Sequence, residues 1–580
     1  MKFTTILSIA AAAGSAFAAS QDYARHLELN FLFYEAQRSG PLPSTNRIPW
    51  RGDSGLDHGS DVGVDLTGGY YDAGDNVKFN FPQAFSMTAI SWMGIEFAKG
   101  VEMANQTEYL KDTVKWGCDY LLKCHEKGTD VFYMQVGDGD IDHQYWKAYE
   151  NIDYPTPTFF VDSKNPGTEV TGETAAAFAA ASILFKDSDP EYSATLLDQA
   201  KEWYEFADKY QFDYSQSVPA AGSYYKSYNG YNDELAWAAI WLYRALGDEA
   251  YLEKAKSLVA NYKLSEVGID WDSKYQGVIV ILAQLGVKEY VEKVEAWVKD
   301  ICTNGKFSPG GLYINKDSEW GSNRRATAMA ASLIYYTHNL PEGNELREMA
   351  KKFAKSQADY IQGANPLGID YVVGADETSP RSVHHRTASG AACIECDPVQ
   401  NVHIIYGALA GGPDVEDNYL DDRADYKKNE VALDYNVCYA AVLAYLVEEG
   451  LNVEDPIPAW EYDYRITKGA DPVQPSEPTK PSEPTKPSEP TEACWSEKLG
   501  YPCCPSDRCH VLVTDESGSW GVYQNEWCGI DTNVCKSDCW STPLGYQCCP
   551  SGCKAEVYET DDNGKWGYEN GKWCGVPKDC

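Results

Sequence analysis

Residues 173–185 read ETAAAFAAASILF and residues 276–285 read QGVIVILAQL, two stretches that carry almost no charge. A helix that is apolar around its whole circumference is buried, so both stretches predict buried helices. Residues 290–300, YVEKVEAWVKD, instead carry charge along one face, which is typical of a surface helix. The chain therefore contains two classes of helix, and their order indicates the fold.

The two classes alternate along the chain. Of twelve predicted helical segments, counted along the chain, the even-numbered ones carry little charge and the odd-numbered ones carry charge on one face. This alternation favours an inner ring of six helices wrapped by an outer ring. The predicted fold is all-α, an α/α toroid of six hairpins, and an irregular helical bundle is the alternative. The twelve predicted segments are residues 22–38, 83–98, 107–125, 172–186, 191–210, 233–246, 249–262, 275–286, 288–302, 323–338, 344–362 and 430–448.

Long loops precede four of the inner helices. They cover residues 65–79, 135–171, 306–322 and 366–428. Because each joins the outer ring to the next inner helix, we expect the four loops to gather at one mouth of the barrel. Loops of this length in a compact domain usually carry function.

The totals limit the partners and the compartment. The 580 residues have a net charge of −38, which argues against nucleic acid and anionic membranes, since both require a basic face. Lys2, the apolar residues 6–13 and the small-residue site at 16–18 predict a signal peptide over residues 1–18, with a buried first helix as the alternative. No later run is long and apolar enough to span a bilayer. We therefore expect an exported, soluble protein.

Composition divides the rest of the chain into a globular region, residues 21–468, a proline-rich linker, residues 472–492, and a duplicated tail, residues 494–535 and 539–580. The linker repeats PSEPT three times, which favours a stiff polyproline II spacer. Each tail copy holds six cysteines. In an exported chain these predict disulfides rather than a zinc site, and six cysteines leave fifteen pairings open.

Two acidic stretches suggest catalysis. Residues 65–79, DLTGGYYDAGDNVKF, place Asp72 and Asp75 in a tight turn where two carboxylates can activate a water molecule; a solvated acidic turn or a calcium loop is the alternative. Residues 419–436, YLDDRADYKKNEVALDYN, include Glu430, predicted at the start of the last inner helix. There, burial and neighbouring acids can raise its pKa as a general acid requires, the alternative being an acid that complements the helix dipole.

These stretches, with HHRTAS at residues 384–389, resemble glycoside hydrolase family 9, the inverting cellulases. Further motifs match in order, including PGTEVTGETAAAFAAAS at 166–182, YNDELAWAAIWLYRA at 231–245 and SPGGLY at 308–313. The resemblance covers residues 21 to about 446. It implies an (α/α)6 barrel, in agreement with the alternating helices, and endo-β-1,4-glucanase activity on cellulose. Another β-glucan as substrate, or a barrel that only binds glycans, remains the alternative.

The resemblance also implies roles for single residues. Asp75 is similar to the catalytic base, Asp72 to its partner in holding the water, and Glu430 to the proton donor. His384 and Arg386 are similar to substrate-binding residues, and Asp421 to an acid that supports the site. The expected cleft residues are His143, Trp146 and Tyr435, with Trp320, Tyr228, Trp271 and Tyr224 as looser candidates for stacking on sugar.

A structural calcium ion is a further expectation. A group of oxygen ligands resembles the calcium site of many family members, and such ligands suit calcium. The alternative is an acidic helix start. For Cys393 and Cys396, a disulfide or free thiols fit better than zinc. The calcium set is Asn229, Gly230, Asp233, Glu234 and Asp272.

The duplicated tail resembles the fungal dockerin, a relative of carbohydrate-binding module family 10. This implies docking onto the scaffold protein of a cellulosome, strengthened by two copies on one chain. Direct binding of cellulose by the same aromatic residues is the alternative, and some of them are expected to pack the small core. The expected partner-binding residues are Tyr501, Trp520, Trp527, Tyr546, Trp566 and Trp573.

Overall fold

A computed structural model describes residues 22–125 and 127–451, Ser496, and short segments of the tail, namely 513–515, 518–523, 526–530, 557–560, 564–569 and 572–576. The chain divides into two compact units, residues 1–473 and 474–580. The predicted signal peptide, the linker, Tyr501 and Tyr546 lie outside the described residues. Trp520, Trp527 and Trp573 are described in their backbone only.

Six helices form a closed inner ring in the first unit. Each packs against the next in chain order, and the last packs against the first. Nearly every residue of the alanine-rich fourth helix is buried, as its apolar sequence predicts. The alternating pattern is thus confirmed as an (α/α)6 barrel. The inner helices are α2 (Asn80–Glu96), α4 (Thr168–Phe185), α6 (Asn232–Leu246), α8 (Tyr275–Gln284), α10 (Ser322–Thr337) and α12 (Leu433–Glu448).

Six outer helices pack against this ring. The ninth helix buries Tyr290, Val294 and Trp297 and turns its charged residues outward, which confirms the prediction from residues 290–300. The outer helices are α1 (Tyr23–Gln37), α3 (Thr107–Lys123), α5 (Pro190–Lys209), α7 (Glu249–Val259), α9 (Lys288–Asn304) and α11 (Glu345–Ile361).

Helix α1 departs from the pattern, because 13 of its 15 residues are buried although it belongs to the outer ring. Loop residues cover it. Arg47 donates through its main-chain N–H to Glu35 over 2.7 Å, and the guanidinium of Arg51 donates to the carbonyl of Ala36. An outer helix is therefore exposed only where no long loop lies over it.

Short elements build the mouth of the barrel. The strands are β1 (Lys78–Phe79), β2 (Phe132–Val136), β3 (Thr158–Val161), β4 (Lys306–Phe307) and β5 (Tyr313–Ile314). Strand β1 pairs antiparallel with β2, which pairs antiparallel with β3, and β1 leads directly into α2. The short helices are Ala98–Met103, Gly139–Asp142, Tyr149–Asn151, Tyr214–Ser217, Pro219–Ala221, Arg386–Ser389 and Tyr426–Asn429.

The second unit contains two antiparallel three-stranded sheets. The partner pairs Val522 and Trp527 in the first copy and Tyr568 and Trp573 in the second occupy equivalent positions. The predicted duplication therefore holds at the level of the backbone, and both copies are of β type in the described segments. The strands are β6 (Val513–Asp515), β7 (Gly518–Tyr523), β8 (Glu526–Ile530), β9 (Val557–Thr560), β10 (Lys565–Glu569) and β11 (Lys572–Gly575).

Hydropathy and disulfide bonding add two observations. Among the described residues, no helix combines the length and the apolar character needed to cross a bilayer. Cys393 and Cys396 form a disulfide, one of the two states predicted for them, whereas Cys118 and Cys124 are buried free thiols.

Candidate active site

A cavity of about 520 Å³ lies at the mouth of the barrel. Each of the four long loops predicted to gather there contributes at least one residue to its lining, which confirms that expectation for the residues concerned. It contains Asp72, Asp75 and Glu430, the three acids expected to act on the water molecule and the leaving group. The lining includes Asp72, Asp75, His143, Tyr224, Tyr225, Tyr228, Trp271, Trp320, Arg324, His384, Tyr426, Glu430, Asp434 and Tyr435.

The Asp72-Ala-Gly-Asp75 turn is held from two sides. The carbonyl of Asp72 accepts a hydrogen bond from Leu433 N, at the start of α12, over 3.0 Å, and Arg386 N donates to the carbonyl of Gly74 over 3.0 Å. A Cβ atom at position 74 would lie 2.0 Å from the carbonyl oxygen of His384. Glycine is therefore required at position 74, because the backbone of the turn lies too close to the backbone of His384 to leave room for a side chain.

The two aspartates of this turn have opposite protonation behaviour. Burial would raise the pKa of Asp75, but hydrogen bonding to His143 and the charges of His143 and Arg386 outweigh it, so that this pKa lies below its ordinary value. His143 Nε2 lies 3.5 Å from Asp75 Oδ2. Burial and the neighbouring charge of Asp75 raise the pKa of Asp72 well above its ordinary value. The negative charge of the pair therefore resides on Asp75.

Asp72 keeps one oxygen available for a ligand. The hydroxyl of Tyr225 donates to Asp72 Oδ2. Asp72 Oδ1 is buried and has no hydrogen-bond partner within the described part of the chain. A buried carboxyl oxygen without a partner is costly, so a water molecule at this position would be stabilising.

Glu430 lies between two elements and not on a helix. The predicted placement at the start of the last inner helix is wrong, because the chain is extended at Glu430 and α12 begins three residues later at Leu433. A parallel bridge pairs Glu430 with His384. This pairing ties the proton-donor candidate to the loop that carries His384, which a helical position would not do.

Neutral donors surround the Glu430 carboxyl group. Trp320 Nε1 donates to Glu430 Oε2 over 2.7 Å, and the hydroxyl of Tyr435 donates to the same oxygen over 2.9 Å. Burial raises the pKa of Glu430 to about 7, against the opposing effect of these two hydrogen bonds. A carboxyl group with such a pKa is protonated in a useful fraction at neutral pH, as a general acid requires.

His384 presents a hydrogen-bond acceptor to the cavity. Its Nδ1 lies 2.8 Å from the carbonyl oxygen of Arg423. Because a carbonyl only accepts, Nδ1 carries the proton and Nε2 of the neutral ring carries none. Burial lowers the pKa of His384 to about 4, so the ring is neutral above that pH. It therefore accepts from, and does not donate to, a hydroxyl group in the cavity.

Three other predicted residues lie beside the acid cavity. Arg386 forms an ion pair with Asp142 and lines a neighbouring cavity of about 550 Å³ together with Trp146. Trp146 donates to Ser389 Oγ over 2.8 Å. Asp421 accepts from the main-chain N–H groups of residues 381 and 382 over 2.8 and 2.9 Å. Asp421 is thus placed to support the loop before His384, outside the cavity lining.

The aromatic candidates line the acid cavity with differing exposure. Tyr228 is 80% exposed and Trp320 is 43% exposed, so both rings are open to a ligand. Tyr435 is buried and reaches the cavity through its hydroxyl group. Tyr224 packs edge-on against His143. Trp271 packs edge-on against Tyr225, which makes its role partly structural.

The predicted calcium ligands are only partly assembled. Asp272 accepts from Asn229 Nδ2 over 2.8 Å, while Lys274 lies 3.2 Å from Glu234 and donates through its N–H to Asp233 over 3.0 Å. Within the described ranges, one group of three potential ligand residues has its ligand atoms within 4.8 Å of one another. That group is Asp75, Asp142 and His143, beside the catalytic cavity and away from the predicted calcium set. Asp233 Oδ1 and Glu234 Oε2 nevertheless are buried without a partner there, which fits an added cation.

Sequence reasoning missed several polar residues of the site, among them Tyr225 and Asp142. Tyr225 holds Asp72, but nothing in the neighbouring tyrosines of SYYKSY distinguishes it from Tyr224. Asp142 holds Arg386 and also accepts from the Tyr154 hydroxyl over 2.5 Å. Its position directly before His143 was a usable signal, because adjacent residues at a short-helix end can share one site.

The fold and these carboxyl groups define a glycoside hydrolase, and comparison with known proteins gives the family. The chain matches Glycosyl hydrolase family 9 over residues 23–443. Residues 493–530 and 538–576 each match the family described as a cellulose- or protein-binding domain, carbohydrate-binding module family 10. The chain belongs to glycosyl hydrolase family 9, with two such domains at its C-terminal end.

Curated relatives and solved structures agree. The chain is 42% identical to Endoglucanase A of Bacillus pumilus over 445 residues, 74% of this chain and 67% of the relative. It is 42% identical to Endoglucanase B of Cellulomonas fimi over 457 residues, 76% of this chain and 43% of the relative. The endoglucanase of the termite Nasutitermes takasagoensis matches with a TM-score of 0.68 and 41% identity, covering 74% of this chain and 99% of that structure. Endoglucanase CelQ of Clostridium thermocellum, solved with cellotetraose, matches with a TM-score of 0.68 and 35% identity, covering 77% of this chain and 74% of that structure.

Proposed function

We propose that the barrel, an endo-1,4-β-glucanase of glycosyl hydrolase family 9, hydrolyses cellulose with inversion at the anomeric carbon. The observation that carries this proposal is the opposite pKa shift of two carboxyl groups that line one cavity, Asp75 downward and Glu430 upward. Such a pair provides an ionised base and a protonated acid at the same pH. The names of the relatives support β-1,4-glucan as the substrate.

Glu430 would act on the leaving group. Its proton passes to the glycosidic oxygen as the bond to the anomeric carbon breaks, and Trp320 and Tyr435 then donate hydrogen bonds to the carboxylate that remains. Both donors are neutral, so they stabilise the product carboxylate without forcing the group to ionise before reaction.

Asp75 would act on the water. It removes a proton from the water molecule that attacks the anomeric carbon, and the free Oδ1 of Asp72 supports a hydrogen bond to the same water. An inverting hydrolase requires its two carboxyl groups roughly 6.5–9.5 Å apart to leave room for this water, whereas a retaining enzyme places them about 5–5.5 Å apart. His384 Nε2 would accept from a hydroxyl group of the sugar next to the cleaved bond.

The configuration of the first product tests the mechanism. In proton NMR of cellotetraose hydrolysis, we expect the α-anomer of the newly formed reducing end to accumulate before mutarotation. A β-anomer would contradict inversion. The viscosity of carboxymethylcellulose tests endo action, because internal cleavage lowers viscosity early, when few reducing ends have formed. A parallel assay on xyloglucan and mixed-linkage glucan addresses the alternative substrates.

For the C-terminal repeats we propose docking onto the scaffold protein of a cellulosome, with direct cellulose binding as the second candidate. Duplication favours either role, since two linked copies raise avidity. The family description covers both cellulose and protein. The isolated repeats, residues 474–580, expressed with their cysteines oxidised, should be captured by scaffold protein and not by crystalline cellulose. Retention on cellulose alone would reverse the assignment.

We also propose export and a structural calcium ion. Export is supported by the leader pattern in residues 1–18 and is tested by N-terminal sequencing of the protein from culture medium.

Calcium is supported by the two unpartnered buried oxygens at Asp233 and Glu234. Calcium added to chelator-treated protein should raise its melting temperature, and Glu234→Gln should reduce that increase. An unchanged melting temperature would exclude the ion at this position.

A further inference from the structure

Arg423 is a buried cation without an acidic partner. The residue is 4% exposed, and its guanidinium donates to the main-chain carbonyl oxygens of Pro398 and Val399, the latter over 2.8 Å. Among the described residues it forms no ion pair within 4.0 Å, and Asp422 acts on it only through its charge at longer range. A buried charge without a counter-charge is costly, so its presence calls for a compensating role.

The main chain of the same residue contacts the active site. The carbonyl oxygen of Arg423 accepts the hydrogen bond from Nδ1 of His384 at 2.8 Å. Arg423 thus anchors its side chain on the main chain of residues 398 and 399, and its own carbonyl is the group that determines which nitrogen of His384 carries a proton. The opposite ring nitrogen is the one left for the cavity.

The loop that anchors Arg423 is itself tied to the His384 segment. Asn401 N donates to the carbonyl of Arg381 over 2.7 Å, and Asn401 Nδ2 donates to the carbonyl of Val383 over 3.0 Å. A few residues earlier, the disulfide between Cys393 and Cys396 closes the loop on itself. The anchor and the residue it positions thus belong to one hydrogen-bonded unit.

We propose that Arg423 is a positioning residue that holds His384 in the Nδ1–H tautomer, so that Nε2 accepts a hydrogen bond from a sugar hydroxyl group. This inference rests on the proposed function, because it assigns the ligand of Nε2 as sugar. Without Arg423, the carbonyl at position 423 loses its fixed place. The imidazole then exchanges between tautomers, and in the Nε2–H form it presents a donor where an acceptor is needed.

A double-mutant cycle tests the proposal. Arg423→Met should raise KM for cellotetraose about 3- to 10-fold, the value of one hydrogen bond, with a smaller change in kcat. In a His384→Ala background the same substitution should change neither constant, because the group through which Arg423 acts is gone. An equal loss in both backgrounds would overturn the inference and make Arg423 purely structural. Arg423→Lys, which keeps one donor group, should raise KM less than Arg423→Met does.

A spectroscopic measurement separates this inference from the proposed function. In protein labelled with ¹⁵N-histidine, the wild type should show the Nδ1–H signature for His384, assigned by its loss in His384→Ala, and Arg423→Met should show the Nε2–H form or a mixture. The matched control is Arg347→Met, whose arginine pairs with Glu449 at 2.6 Å and makes no contact with the site. An Nε2–H signature in the wild type would overturn the inference. Failure of the wild type to cleave cellotetraose would overturn the proposed function, and the tautomer would still be measurable.

Discussion

The two sides of the catalytic cavity use the same functional group in opposite ways. On one side, Asp75 lies close to His143 and within the field of Arg386, and its pKa falls. On the other side, Glu430 is approached by the neutral donors of Trp320 and Tyr435, and burial raises its pKa to about 7. Burial acts on both groups, so the difference comes from whether charged or neutral partners oppose it. Cationic partners make a base, and neutral partners allow an acid.

The comparison fixes the expected pH dependence. The reaction needs Asp75 ionised and Glu430 protonated. The rate should therefore fall as pH decreases through the lowered pKa of Asp75, and fall again as pH rises through about 7, where Glu430 loses its proton. The following substitutions alter one side at a time.

Asp75→Asn should have the largest effect. The amide cannot accept a proton from water, so kcat should fall by about 10²–10⁴-fold on every substrate, whatever its leaving group. The assay is release of reducing sugar from cellotetraose and from an aryl β-cellobioside. Asp198→Asn, on the surface of α5 where it pairs with Lys201, serves as the control and should keep full activity. Activity retained by Asp75→Asn would show that another group is the base.

Glu430→Gln should impair only substrates that need a proton donor. The loss should approach about 10²–10⁴-fold on cellotetraose and be much smaller on a dinitrophenyl β-cellobioside, whose phenolate leaves without protonation. The measurement is the ratio of kcat/KM for the two substrates in this variant and in Asp75→Asn. Equal losses on both substrates would remove the assignment of Glu430 as the acid.

His143→Gln should remove one of the interactions that lower the pKa of Asp75. Without His143 the pKa of Asp75 rises toward its ordinary value, so the acidic limb of the kcat/KM profile should move to higher pH while the basic limb stays in place. The control is His403→Gln, whose ring stacks on Trp50. A basic limb that moves instead would mean that His143 acts on Glu430.

Tyr435→Phe should give the smallest change, a shift in the basic limb of the pH profile of kcat/KM. Loss of the hydroxyl donor removes one interaction that lowers the pKa of Glu430, so the basic limb should shift to higher pH. The phenyl ring keeps its place beside Arg324, which lies 5.0 Å from the ring centre. The full pH profile of kcat/KM is the measurement, and a shift of that limb to lower pH would contradict the account.

Much of the fold could be predicted because it depends on periodicity. Apolar residues around the whole of residues 173–185 and 276–285 place those helices inside, and the charged face of 290–300 places that helix outside. Helix α1 shows the limit of this reasoning, because residues distant in the chain also cover it: Ala375 accepts a hydrogen bond from Arg25, and Asp370 is hydrogen-bonded to His26. Burial by a distant segment leaves no periodic signal.

Local sequence patterns were enough to predict the alternating rings, the glycine turn that carries Asp72 and Asp75, and the presence of Glu430 in an acidic stretch. The folded chain was needed to show that Glu430 precedes α12, that Tyr225 holds Asp72 and that Asp142 holds Arg386. The two kinds of feature depend on interactions of different range. Helix type follows from neighbours within a few residues, whereas a pKa or a tautomer depends on groups that only folding brings together.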